Sequence, residues 1–273
     1  MKNILIFGNG YIGQKLQTHL NCEVSNKRIL QTQDIIDEIN KYKADVIVNC
    51  IGYTGDGNVD GCDKQVNKTI VLNTFLPILF LEAKYRTGVK LVHISSGCMY
   101  EYDYEKDKPV KENKKPDYFK LYYSRSKIYA ERVLGNDALI VRIRIPLDDK
   151  PNQKNILDKL IKYRKVIDVS NSVTYLPDFV KMVEHLIKKN AKGIYNTVNE
   201  GGLRYKDLLD TYNKYAYKPI DYEILPLENL KLNRTNLIMS TKKLQNTGFK
   251  VRPINEVLEE CVKNYLSQAE QAL

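Results

Sequence analysis

The chain opens with a glycine turn, Gly8-Asn9-Gly10-Tyr11-Ile12-Gly13, set between the apolar run 4–7 and an amphipathic stretch over 12–20. A strand that stops at glycines and re-emerges as a helix is the start of a βαβ unit. The same alternation then repeats. Further apolar runs lie at 45–49, 90–95 and 138–143, with a weaker one at Glu23-Val24-Ser25. Helical patterns separate them at 33–42, 68–85 and 119–134. Strands that are apolar throughout have no solvent face, so both faces of their sheet are covered by helices. The expected fold is α/β: a Rossmann-type doubly wound parallel sheet.

After Pro146 the pattern loosens, beginning with a polar break over 150–153. Helices are expected at 156–163, 177–188, 205–212, 241–246 and 255–266, and strands at 166–169 and 193–198. Neither an internal repeat nor a low-complexity linker separates the halves. The expected division is a dinucleotide-binding domain over 1–150 and a smaller α/β substrate lobe over 151–273, with parts of 165–200 returning to the sheet.

Composition narrows the function class. The net charge is +10, but the basic residues are dispersed, in pairs no longer than Lys114-Lys115, Lys188-Lys189 and Lys242-Lys243. Without an aromatic-basic stripe this reads as solvated surface, not as a nucleic-acid module. No apolar run approaches the ~20 residues of a membrane span. The N-terminal apolar stretch is short for a signal peptide and runs into glycines. The five cysteines, Cys22, Cys50, Cys62, Cys98 and Cys261, are scattered without a C-x-x-C pair. That argues against a disulfide framework or a metal site and for a reducing, cytoplasmic setting.

In its strand-turn-helix context the G-x-G-x-x-G lets backbone approach a pyrophosphate, and the helix N-terminus supplies amide donors. Gly8, Gly10, Tyr11, Ile12 and Gly13 are therefore cofactor candidates. An acidic residue at the end of the second strand suits NAD, and a basic one suits a 2′-phosphate. Here Asn26-Lys27-Arg28 follows that strand. Lys27 and Arg28 point to NADPH. The plainer alternative is two surface charges, with Glu23 serving NADH.

Tyr123 and Lys127 are four residues apart on the helical pattern 119–134 and so share a face. A cation beside a phenol stabilises its phenolate, lowering a pKa of ~10 toward neutrality. Ser96 ends the run 90–95, where ligands bind in parallel sheets, and can hydrogen-bond a reacting carbonyl. His93 lies within that run and is read as a core residue.

Glycine turn, strand-end serine and Tyr-x-x-x-Lys, in this order, resemble the extended short-chain dehydrogenase/reductase family. The resemblance implies a catalytic trio of Ser96, Tyr123 and Lys127, a cofactor loop at Asn49-Cys50-Ile51-Gly52 contributing Asn49 and Gly52, and a structural asparagine at Asn73. It also implies a homodimer paired through two helices that include the Tyr-x-x-x-Lys helix.

Segments spread over nearly the whole chain resemble one branch, the plant-type UDP-4-keto-6-deoxyglucose 3,5-epimerase/4-reductases. They are 57–63, 96–103, 122–127, 142–146, 171–174 and 234–236, the most specific being Ser96-Gly97-Cys98-Met99-Tyr100-Glu101-Tyr102-Asp103. This implies a nucleotide-sugar substrate, UDP-4-keto-6-deoxyglucose, supplied by a 4,6-dehydratase. It implies an epimerisation pair of Cys98 and Lys159, and Asn58, Asn73, Arg144, Asn155 and Arg234 on the substrate side. On spacing alone Cys98 would be a buried filler and Lys159 a surface lysine. The chain departs from the pattern at the glycine loop, one residue shorter than the family's usual G-x-x-G-x-x-G, and at Gly57 and Gly61, which stand where the family has Pro and Trp. Alternatives are a reductase without epimerase activity, a non-catalytic NADP-binding regulatory subunit, and, on charge alone, a nucleic-acid-associated protein.

Overall fold

The structure, a computed structural model, describes residues 2–227 and 235–270. Elements run β1 (Ile4–Phe7), α1 (Tyr11–Leu20), β2 (Glu23–Ser25), α2 (Thr32–Tyr42), β3 (Val46–Asn49), α3 (Gly61–Lys64), α4 (Val66–Ile70), a π-helical turn (Val71–Phe75), α5 (Leu76–Thr87), β4 (Lys90–Ser96), α6 (Tyr122–Leu134) and β5 (Leu139–Ile143). They continue β6 (Pro146–Leu147), α7 (Ile156–Tyr163), β7 (Lys165–Ile167), β8 (Thr174–Tyr175), α8 (Leu176–Lys188) and β9 (Gly193–Asn196). Last come α9 (Tyr205–Tyr215), β10 (Glu223–Leu225), α10 (Lys242–Gln245) and α11 (Ile254–Glu270).

The chain groups into two compact units. The first holds Met1–Tyr100, Lys115–Arg142 and Val183–Tyr195; the second holds Glu101–Lys114, Ile143–Met182 and Asn196–Leu273. Residues 101–114, within the first 150, thus group with the second unit, where Val110 donates its amide to Ile238 and accepts from Ser240.

The first unit is built on a six-stranded sheet of order β2-β1-β3-β4-β5-β9. β1 pairs in parallel with β2 and β3, and β3 with β4. The order reverses at β1, so the loops after β1 and β3 diverge above the sheet, and ligands bind at such a switch point. Beneath one face Phe7, Ile35, Ile47, Leu79, Phe80 and Leu91 form a dry core, with Phe7 and Phe80 edge to face at 5.0 Å. In the second unit α7, α9 and α11 pack Leu157, Leu160, Leu208, Val257 and Val262 around Tyr175.

The helix expected over 68–85 is interrupted. Pro77, at the start of α5, has no N–H to return to the preceding turn, and that turn widens into the π form at Val71–Phe75. Val66–Thr87 as a whole is long and apolar enough, by length and composition, to cross a membrane. The sequence reading missed it because polar residues break the run. Leu76, Leu79, Phe80 and Ala83 turn their side of it into the core.

Candidate active site

Two of the three loop glycines are demanded by packing. Gly8 has φ +100°, and a β-carbon there would meet the Ile51 amide nitrogen at 2.8 Å. One on Gly13 would come within 2.0 Å of the Gly8 carbonyl oxygen. Gly10 differs: a β-carbon would meet nothing within 4 Å. It opens on clear space at the start of α1, whose first turn has neither a side-chain cap from Gly10 nor an acidic residue. An uncapped, acid-free helix start beside a bare Cα suits an anionic pyrophosphate. These residues fit a dinucleotide.

The neighbouring loop follows β3. Asn49 is fully buried; its side-chain oxygen accepts from the Ile51 amide at 3.0 Å and its nitrogen lies 3.3 Å from His93 Nδ1. Asn49 therefore shapes the loop from beneath. Gly52 lies close to the π-helical turn and α6: a β-carbon there would sit 3.3 Å from Asn73 Oδ1 and 3.5 Å from Lys127 Nζ. Past the end of β2, Lys27 and Arg28 are exposed, and Lys27 lies 3.5 Å from Asp34 and 3.6 Å from Asp37.

On α6, Tyr123 and Lys127 are both buried, one turn apart. Tyr123 hydrogen-bonds to the Ser96 side chain at the end of β4. Ser96 Oγ also accepts the Cys98 amide at 3.2 Å, so serine and cysteine share one turn. Tyr123, Cys62 and Tyr53 form a small apolar cluster with Cys98 packed against it. Lys127 Nζ donates to the Ile94 carbonyl at 3.1 Å.

One electrostatic expectation is corrected. Burial dominates at Tyr123 and, with Cys98 and Cys62 nearby, pushes the phenol above its ordinary value despite the Ser96 hydrogen bond. Lys127 is lowered to about 8 by burial, with Glu131, Cys50 and Cys62 opposing the fall. Near neutrality the pair is thus a protonated phenol beside a charged ammonium. That arrangement suits giving a proton to a substrate oxygen, more than taking one. His93 is held neutral by burial, with Lys127 adding to the effect.

The residues expected on the substrate side scatter in role. Asn58 is exposed and accepts the Asp60 amide at 3.0 Å. Asn73, in the π-helical turn, is fully buried: it accepts the Tyr53 amide at 2.7 Å and donates to the Tyr53 carbonyl and Ser126 Oγ. It ties three segments together, a structural role. Asn155 is likewise engaged by the protein itself. It caps α7, accepting from Leu157 and Asp148 and donating to the carbonyls of Asp148 and Lys150, which fills its amide. Arg144 is buried against Asn171 and Thr235. Lys159 lies half-buried on α7, and Arg234 falls outside the described residues. The departure at Gly61 has a steric cause: a β-carbon there would meet the Asp56 amide nitrogen at 2.7 Å and Gly55 Cα at 3.0 Å.

The sequence reading missed a buried ionic cluster behind the pair. Glu131 receives Arg142 at 2.6–3.2 Å and the Ser95 hydroxyl at 2.6 Å. Its one available signal was spacing, since Glu131 lies a turn beyond Lys127.

Comparison with known proteins places the chain among nucleotide-sugar relatives. A bifunctional dTDP-4-dehydrorhamnose 3,5-epimerase/dTDP-4-dehydrorhamnose reductase of Arabidopsis thaliana is 28% identical over 94% of this chain and 91% of its own length. A trifunctional UDP-glucose 4,6-dehydratase/UDP-4-keto-6-deoxy-D-glucose 3,5-epimerase/UDP-4-keto-L-rhamnose-reductase of the same plant is 27% identical over 77% of this chain, which spans only 34% of that relative. Among solved structures, the L780 UDP-rhamnose synthase of Acanthamoeba polyphaga mimivirus superposes with a TM-score of 0.89 at 24% identity, covering 96% of this chain and 99% of that one. A dTDP-4-dehydrorhamnose reductase of Bacillus anthracis, in complex with NADP, gives 0.83 at 22%, over 98% and 99%. These structures share the fold. Residues 1–267 match the family described as the RmlD substrate binding domain, and the chain belongs to that family.

Proposed function

We propose that this chain is an NADPH-dependent 3,5-epimerase/4-reductase that converts UDP-4-keto-6-deoxy-D-glucose to UDP-L-rhamnose. The observation that carries the reading is the buried Tyr123, hydrogen-bonded to Ser96 and one turn from Lys127, beside the Gly52 loop. The names of both plant relatives combine epimerase and reductase activities, and that of the trifunctional one gives UDP-4-keto-6-deoxy-D-glucose as the sugar, which supports the reading.

Gly8, Gly10, Tyr11, Ile12 and Gly13 would hold the pyrophosphate, with Lys27 and Arg28 at the 2′-phosphate. NADPH, when bound, supplies the hydride that reduces C4. Ser96 holds the C4 oxygen and Tyr123 protonates it. Lys127 stays charged and stabilises the phenolate that remains. Epimerisation at C3 and C5 needs proton removal next to the ketone and return on the other face. Cys98, two residues past Ser96, and Lys159 are assigned to it.

A 4,6-dehydratase supplies the keto-sugar. The protein acts in the cytoplasm as a homodimer. Val71, Phe75 and Ile78 before and within α5, and Tyr129 and Val133 on α6, stand exposed in rows at helical spacing, which supports pairing through these helices.

The test is one incubation of purified protein with UDP-4-keto-6-deoxyglucose and NADPH, with no other enzyme, followed by NMR of the sugar. UDP-L-rhamnose with NADPH consumption is expected. A 6-deoxysugar of unchanged D configuration would reduce the assignment to a 4-keto reductase. Bound NADPH without turnover would overturn the substrate.

A further inference from the structure

The catalytic helix is stitched to consecutive residues of β4 immediately before Ser96. Lys127 Nζ donates to the Ile94 carbonyl at 3.1 Å, and the Ser95 hydroxyl donates to Glu131 at 2.6 Å. Glu131 and Lys127 are four residues apart on one face of α6, and each is about 95% buried. Arg142 on β5 locks the carboxylate, giving Nε to one oxygen at 2.9 Å and a terminal nitrogen to the other at 2.6 Å. With both oxygens engaged, Glu131 is placed to act on its neighbours, not on a substrate.

We infer that Glu131 is a positioning residue: its clamped carboxylate keeps the buried Lys127 charged and fixes Ser96 against Tyr123. The inference rests on the reading of Ser96, Tyr123 and Lys127 as the reductase trio. A buried ammonium loses water and tends toward its neutral form. The groups facing it are few. Cys50 after β3 and Cys62 on α3 are thiols that burial itself holds protonated, Cys50 at about 12. His93 on β4 is neutral. Glu131 is the leading influence that raises Lys127. Its partner Arg142 holds the carboxylate in place through both oxygens.

The experiment is NMR titration of the full-length protein carrying ¹⁵N-labelled lysine, with Lys127→Met used to identify the Lys127 resonance. Glu131→Gln leaves the buried Arg142 without its carboxylate. It is therefore accompanied by Glu131→Gln/Arg142→Met, which removes the pair together. In whichever of these folds, the Lys127 midpoint is expected to fall by about one pH unit, while Ser95→Ala, which keeps the carboxylate, leaves it in place. In assays of keto-sugar reduction the alkaline limb is expected to move down with the midpoint. An unmoved midpoint in a folded variant overturns the proposal, as does an equal fall in Ser95→Ala. If the midpoint falls and no variant, nor the parent, reduces the keto-sugar, the substrate assignment fails and the role of Glu131 stands.

Discussion

The first turn of α1 rests directly on the glycine loop, with a Gly13 β-carbon excluded by the Gly8 carbonyl oxygen at 2.0 Å and a Gly10 β-carbon met by nothing within 4 Å. The two glycines therefore separate folding from binding. Gly13→Ala forces backbone apart and is expected to cost about 2 kcal/mol or more. Gly10 has φ −91°, open to any residue. Gly10→Ala is expected to unfold within ~0.5 kcal/mol of the parent, while NADPH binding weakens at least about tenfold because the methyl occupies the phosphate approach. Urea unfolding and NADPH fluorescence titration check both. Unchanged NADPH affinity in Gly10→Ala would remove this loop from the site.

Tyr123→Phe deletes the hydroxyl that bonds to Ser96 and leaves the ring packed with Tyr53 and Cys62. Keto-sugar reduction is expected to fall by about 10²–10⁴-fold, with NADPH affinity retained. Activity within a few-fold of the parent would make the chain's role independent of this phenol, as the regulatory-subunit alternative requires.

Much of this site was legible because its constraints are local. The glycine turn, the helix-spaced Tyr123 and Lys127, and Ser96 at a strand end each follow from a few adjacent residues. The long strands and helices were placed to within a few residues for the same reason. What escaped notice depends on distant partners. Glu131 and Arg142 look like surface charges until β5 brings them together. The two-residue strands β6 and β8 exist only through pairing with each other. Residues 101–114 join the second unit through backbone bonds to residues near 239. The capping role of Asn155 escaped notice because a helix-capping asparagine and a ligand-binding one look alike in sequence.

Cys98 can be removed without disturbing its turn, because Ser124 holds the Cys98 carbonyl and Ser96 holds its amide. Cys98→Ala is expected to abolish deuterium uptake at C3 and C5 of UDP-4-keto-6-deoxyglucose in D₂O. Reduction of an already epimerised 4-keto sugar should persist. Exchange at the parental rate would transfer epimerisation to another residue or another protein.

Lys127 links activity and stability to pH in opposite senses. Its folded pKa is lowered from the ordinary 10.5 to about 8. Below about 8 both folded and unfolded chains hold the proton. Between the two values the unfolded chain holds more, so this group's contribution to stability rises with pH across that window. Over the same window the ammonium is lost and reduction should decline. The comparison is urea unfolding of the parent and Lys127→Met at about pH 7.5 and about pH 9.5. The parent is expected to gain stability relative to the variant as pH rises while its keto-sugar turnover falls. A parallel pH response in the two proteins would show that Lys127 is not depressed.

Asn155 offers the sharpest contrast between a ligand and a scaffold. Its amide makes four hydrogen bonds, joining Asp148 and Lys150 to the first turn of α7, the helix that carries Lys159. Removing a buried cap strands both backbone amides and carbonyls, so Asn155→Ala is expected to cost about 2–3 kcal/mol. Asn155→Asp keeps the two acceptor bonds and loses the two donor bonds, and should fall between. In both variants the loss appears in thermal or urea unfolding. The KM for the keto-sugar, measured well below the transition, should stay within about twofold of the parent. A variant that keeps its stability and raises KM strongly would place Asn155 on the substrate after all.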